Sequence, residues 1–168
     1  MQSPEADVVA LLIRQHREVE SLLQALLKTG DPAERATRLG RAGDDLAVHI
    51  GAEEAVFYPV VNAARTEGIL LESLEEHLSL KRLLADLLDL PPDDATFEAK
   101  CHVLLEQTEH HHKEEEEHLF PTVRLTLSPQ QLARLHGDVL AHEKGLRDAG
   151  TPRHALKSQT AAAASPGG

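Results

Sequence analysis

Apolar residues along the chain recur at spacings of three, four and seven, the mark of helices that bury one face. Val8, Val9, Leu12, Val19, Leu22, Leu23, Leu26 and Leu27 form the first such stripe. Pro4 after Ser3 predicts its start, a first-turn proline behind an N-cap, and Gly30 offers a C-terminal cap. Asp31-Pro32-Ala33-Glu34 predicts the next N-terminus, with Asp31 capping and Glu34 three residues on. This second helix is expected to reach Arg65, kinked near Pro59, with Gly68 just beyond its end. A third covers Ile69 to Leu90 and stops at Pro91-Pro92. A fourth, capped by Asp93 or Asp94, runs to Leu127 with a like disturbance at Pro121. Ser128-Pro129-Gln130-Gln131 has the form of a capping box and opens a fifth helix that ends near Gly150. The remainder, Thr151 to Gly168, is small, polar and alanine-rich, and is expected to be a mobile tail.

No stretch alternates as a half-buried strand would, and β-branched runs are absent. Long helices with short connections predict an all-α fold. Residues 4–127 are expected to form an antiparallel up-down-up-down four-helix bundle, with an additional helix at 128–150 outside that core and the tail at 151–168.

Composition narrows the partners. The chain has 168 residues, enough for one real core, and 41% are hydrophobic but only 2% aromatic, so that core must be largely aliphatic. Lys and Arg total 17 against 28 Asp and Glu, a formal charge of −11. No basic stripe stands out, so no nucleic acid is expected as partner. No apolar run approaches a membrane span. The single cysteine, Cys101, excludes an internal disulfide framework and a cysteine-based zinc site. A free thiol without an export signal fits the cytoplasm.

Two stretches raise a sharper question. Residues 49–59 read HIGAEEAVFYP and residues 111–121 read HHKEEEEHLFP. Superposed, His49 falls on His111, Glu53 on Glu115, Glu54 on Glu116 and Pro59 on Pro121. The likeness extends backwards, because residues 12–27 align without gaps on residues 73–88 and place His16 on His77. The chain therefore reads as one helical hairpin used twice, each copy giving a histidine from its first helix and a histidine and a glutamate from its second.

Phase decides where those groups point. Residues four apart share a helix face, with Cβ atoms about 5–6 Å apart. Leu104, Thr108, His111 and Glu115 make one stripe, and Ala42, Leu46, His49, Glu53 and Val60 another. Both carry apolar residues around the polar pair, so the pair is expected to face inward. Ionised groups in a bundle core need partners. Two hairpins related by a pseudo-twofold axis would bring His16, His49, Glu53, His77, His111 and Glu115 to one centre, and such a set calls for metal, expected as two ions. Imidazoles with carboxylates and no thiolate suit non-haem iron. The glutamates are the natural bridges, with the histidines capping the ions and room left for a bridging oxygen and an open position.

These residues resemble the hemerythrin-like, or HHE cation-binding, family. The resemblance rests on His16, on His49 with Glu53 and the closing FYP, on Glu76-His77, and on His111 with Glu115 and the closing LFP, and it covers residues 8 to 125. It implies a four-helix bundle holding two iron ions with an oxo, hydroxo or water bridge. It also implies a protein that binds or reacts with oxygen, peroxide or nitric oxide, as a sensor, store or detoxifying protein. Oxygen-carrying members have two histidines one turn apart on the third helix. Here Ser73 and Lys81 flank His77 at that spacing, which leaves one iron with a further site for water or ligand.

Plainer readings stand beside these. Within the run His110, His111 and His112, repeat alignment and phase with Glu115 favour His111, although His112 stands in the same relation to Glu116. Glu54 and Glu116 read as a solvated flank rather than as partners that orient the imidazoles, and Tyr58 as half-buried packing. His102, His118, His136, His142 and His154 have no matched partners and read as surface. A metal-independent signalling or phosphotransfer module would use His77 with Lys81. A ferritin-like oxidase would use Glu109-x-x-His112 and Glu115-x-x-His118, which occur only in the second repeat.

Overall fold

The computed structural model describes residues 7–167. The expected start at Ser3-Pro4 lies outside them. Helix α1 spans Val8–Leu26, and the Asp7 carboxylate caps it by accepting from the Val9 N–H. Helix α2, Pro32–Ala52, has Asp31 as N-cap, accepting from the Glu34 N–H as the sequence predicts. It runs without a break into a π-helical turn, Glu53–Phe57, and then into α3, Tyr58–Val61. Helix α4 spans Glu67–Asp89. Helix α5, Phe97–Glu114, again passes through a π turn, Glu115–Leu119, into α6, Phe120–Thr126. These four arms make the bundle.

Several boundaries differ from expectation. The second arm ends at Val61 rather than Arg65, and Gly68 lies inside α4 instead of beyond a helix end. Thr66 explains the early stop: its hydroxyl donates to the Val61 carbonyl at 2.7 Å and accepts from the Ala63 N–H at 2.9 Å, closing a turn in place of another helical one. Gly30 is not a left-handed cap. Among the described residues only Gly150, at φ 142°, has a positive φ.

The disturbances at Pro59 and Pro121 are wide turns, not kinks. Each π turn holds one residue more than an α turn, and a proline comes shortly after it. The extra residue moves the inward face on by one position. Val60, expected on the buried stripe, is therefore 55% exposed, while Val61 takes its place in the core.

The core is divided into two apolar clusters. One gathers Leu12, Ala52, Phe57, Tyr58, Leu74, Leu119 and Phe120; the other gathers Val19, Leu46, Ile50, Leu80, Leu84 and Leu104. Every arm crosses from one cluster to the other, and each does so at a histidine. All four aromatic side chains are buried, and Phe57 meets Phe120 edge to face with centroids 5.9 Å apart, joining the two repeats.

Outside the bundle, α7 (Pro129–Asp148) opens with the expected capping box between Ser128 and Gln131 and packs on α1 and α2, burying Leu135 and Val139. Beyond it the chain is ordered against the bundle rather than hanging free as a mobile tail. Helix α8, Pro152–Ala155, and a 3₁₀ turn at Leu156–Gln159 bury Leu156 in the second cluster. Arg153 pairs with Asp44 at 2.6 Å, and Arg82 donates to the carbonyls of Thr160 and Ala161. One leucine and a few pairs to α2 and α4 anchor a segment whose own composition predicts no packing.

Candidate metal centre

The layer between the two clusters is polar and buried. His16 on α1, His49 on α2, His77 on α4, His111 and His112 on α5, and Glu53 and Glu115 at the heads of the two π turns are all buried. All six residues expected at the centre meet there. His112 joins them, so His111 and His112 are not alternatives. Neighbouring helical residues point about 100° apart, and on an arm facing two others both directions lead inward.

Glu53 sets one oxygen toward each side. Its Oε1 lies 3.2 Å from His49 Nε2 and 4.0 Å from His16 Nε2; its Oε2 lies 3.2 Å from His77 Nε2 and 4.0 Å from His111 Nε2. Glu115 Oε2 lies 3.2 Å from His16 Nε2 and 3.6 Å from His111 Nε2. Three overlapping sets have their donor atoms close enough for a cation: His16, His49 and His112; His16, His49, Glu53 and Glu115; and Glu53, His77 and His111.

Tyr58 is not packing alone. The extra residue of the π turn carries its ring inward, and its hydroxyl donates to Glu115 Oε1 at 2.6 Å and lies 3.2 Å from His77 Nε2. Lys81 stands away from the centre, paired with Glu54 at 2.8 Å. The side left short of an imidazole by Ser73 and Lys81 is thus filled by a phenol from the second arm.

Each imidazole is gripped from outside through Nδ1. His16 donates to Glu116 at 2.8 Å, His112 to Glu20 at 2.8 Å, His77 to Glu54 at 3.0 Å, His111 to Glu76 at 3.4 Å, and His49 to the Gln15 carbonyl at 2.9 Å. Carboxylates only accept, so Nδ1 of His16, His77, His111 and His112 carries a hydrogen, and every Nε2 faces the centre, where those of His77 and His111 share a hydrogen bond of 2.9 Å. Glu54 and Glu116 therefore orient His77 and His16 instead of forming a solvated flank. The signal was present in the repeat, since both stand one residue after a glutamate of the centre and each grips the first-helix histidine of the other hairpin. Arg17 joins Glu20 and Glu116 at 2.6 and 2.5 Å. The tethers run α1 to α2, α2 to α4, α4 to α5 and α5 back to α1, a closed ring around the bundle.

The inner atoms lack what the outer ones have. His16 Nε2, His49 Nε2, His112 Nε2, Glu53 Oε1 and Glu115 Oε2 are buried without a hydrogen-bond partner, their approaches being contacts rather than aligned bonds. Orphaned buried acceptors of this kind are costly, and a cation satisfies them together. Protons are the smallest cations available. Burial works against charge on Glu53, but His49, His111 and His16 hold its carboxyl well below the usual range. Burial depresses His111, yet Glu115, Glu53 and Glu76 outweigh it and push it up to about 10. His112 is driven down by burial and by the neighbouring histidines. The donor set and its charge fit a metal.

The other candidate chemistries do not assemble. A phosphotransfer histidine must be reachable, and His77 is fully buried. His118 is 54% exposed and Glu109 is also exposed, so the Glu-x-x-His pairs do not converge. His102, His110 and His154 are exposed and His136 and His142 half-buried, none at the centre.

A four-helix bundle with a buried layer of histidines and glutamates defines a cation-binding helical domain. The sequence matches the Hemerythrin HHE cation binding domain over residues 7–123, and the chain belongs to that family. A curated relative, a DNA nickase of Nostoc sp. (strain PCC 7120 / SAG 25.82 / UTEX 2576), is 32% identical over 116 residues, 69% of this chain. The chain spans about a third of that relative's length, 33%. The crystal structure of a hemerythrin HHE cation-binding-domain protein from Mycobacterium kansasii superposes with a TM-score of 0.78, covering 90% of this chain and 98% of that one at 19% identity, which establishes the shared fold. Among the described residues no helix is long and apolar enough to cross a membrane.

Proposed function

We propose that the centre holds two iron ions and that the protein binds or reacts with oxygen, peroxide or nitric oxide as a sensor, store or detoxifying protein. What carries the reading is the set of buried inward-facing nitrogens and oxygens without partners, each imidazole fixed from behind. His16, His49 and His112 would hold one ion, and His77 and His111 the other, with Glu53 and Glu115 between them. Iron suits imidazole with carboxylate and no thiolate, and such a pair supplies redox chemistry toward small oxygen- or nitrogen-containing ligands.

The two sides are unequal. Three imidazoles face one ion and two face the other, beside the Tyr58 hydroxyl. The second side, with fewer imidazoles, is where a small ligand would bind, and Tyr58, donating to Glu115, is placed to give it a hydrogen bond. The nicking of DNA named for the Nostoc relative is not carried over, since a surface with a formal charge of −11 repels phosphate.

Metal analysis of protein made in iron-replete cells tests this. Two irons per chain are expected, with a visible absorption that disappears on chelation. His111→Ala and His112→Ala should each lower iron content by roughly half or more with helical content retained. Native, stable protein free of metal would sink the proposal.

A further inference from the structure

The two hairpins hold their second-helix histidines from matching positions. Glu76, just before His77, reaches His111 Nδ1; Gln15, just before His16, reaches His49 Nδ1 at 2.9 Å. The matching positions differ in chemistry. A carboxylate compels the imidazole to present N–H, but an amide has a donor end and an acceptor end. Turned over, Gln15 would offer its NH₂ to His49 Nδ1 and leave the ring hydrogen on Nε2, the atom a cation needs.

Glu143 on α7 prevents that. Its Oε1 accepts from Gln15 Nε2 at 2.7 Å, and the residue is only 8% exposed. As a carboxylate it can take only the NH₂ end of the amide. The carbonyl must then face His49, Nδ1 must carry the hydrogen, and Nε2 keeps its lone pair toward the centre, where no protein group bonds to it. The ion pair of Arg147 with Asp45, 2.9 Å, pins α7 to α2 one turn further on.

We propose that Glu143 is a positioning residue for the centre, fixing through the Gln15 amide the tautomer in which His49 can ligate. This rests on the reading of the centre as a cation site. The fifth helix thus supplies, from outside the bundle, the negative charge that the first hairpin lacks where the second has Glu76.

The test uses the full chain, zinc as a diamagnetic probe, competition with a chromophoric chelator for affinity, and nitrogen NMR of the His49 ring in zinc-free protein for the tautomer. Glu143→Gln is compared with the exchange Gln15→Glu plus Glu143→Gln. The single variant should weaken zinc about tenfold or more, as loss of such an outer partner does, and populate the Nε2–H form of His49. The exchange should restore both, because the carboxylate then sits at position 15 as it does at Glu76. An unchanged single variant overturns the proposal. So does weaker binding with an unaltered tautomer, which would mean a packing role. If the single variant does not fold, the exchange decides alone: parental affinity and tautomer support the relay, and the Nε2–H form overturns it. If the parental chain takes no zinc, the cation reading fails, while the NMR readout still judges Glu143.

Discussion

Tyr58 is the one tyrosine in a chain without tryptophan, so the near-ultraviolet signal of phenol ionisation reports a single hydroxyl at the centre. Burial, and then the charges of Glu115 and Glu53, push its pKa well above the ordinary phenol value. In metal-free protein the phenolate absorption should therefore emerge well above pH 10, and near 10 once the chain is denatured. Because the unfolded phenol ionises first, this group's contribution to stability is complete below about pH 10 and is lost as pH rises beyond it. A folded-state midpoint at the ordinary value would place the hydroxyl in water. Single residues were only partly legible in the sequence. His16, His49, Glu53, His77, His111 and Glu115 could be found because each has a repeat partner. His112 has no repeat partner, since Ile50 stands at the matching position, and was legible only as an alternative through its phase with Glu116; Gln15 required knowing what lies behind it on α7.

At the scale of the element, the π turns are the feature that periodicity could not yield. A 3.6-residue count carried through Pro59 puts Val60 inside; the wide turn puts it outside and brings Tyr58 to the glutamates. A turn with one residue in excess can lose it without rotating the next stretch of helix. Deleting Ala55 in a Pro59→Ala background, which removes the clash of proline with an α turn, should leave cooperative unfolding and helical content intact. Deleting Ser79 from regular α4 turns Leu80, Leu84 and Leu87 about 100° off the core and should abolish the fold. Equal damage from the two deletions, read by circular dichroism and urea titration, would refute the idea that the π turn carries a spare residue.

For the whole molecule, the bundle was legible because each arm has an apolar stripe and each connection a stop signal. The packing of residues 151–167 was not, because Leu156 finds its neighbours on α2 and α4, far away in sequence. Removing residues 151–168 should lower unfolding stability by about 1.5–3 kcal/mol, the burial of one leucine. Cation stoichiometry should be unchanged, because none of the seven side chains at the centre lies beyond Glu115. Loss of bound metal in that truncated chain, measured by elemental analysis, would show that the C-terminal segment holds the arms in register as well as covering them.

The tether from His16 to Glu116 joins residues 100 positions apart, and that from His112 to Glu20 spans 92. During synthesis the first hairpin leaves the ribosome long before these carboxylate and imidazole partners exist, with His16 free to turn. On the proposed reading, cation capture would close assembly rather than seed the condensation of the chain.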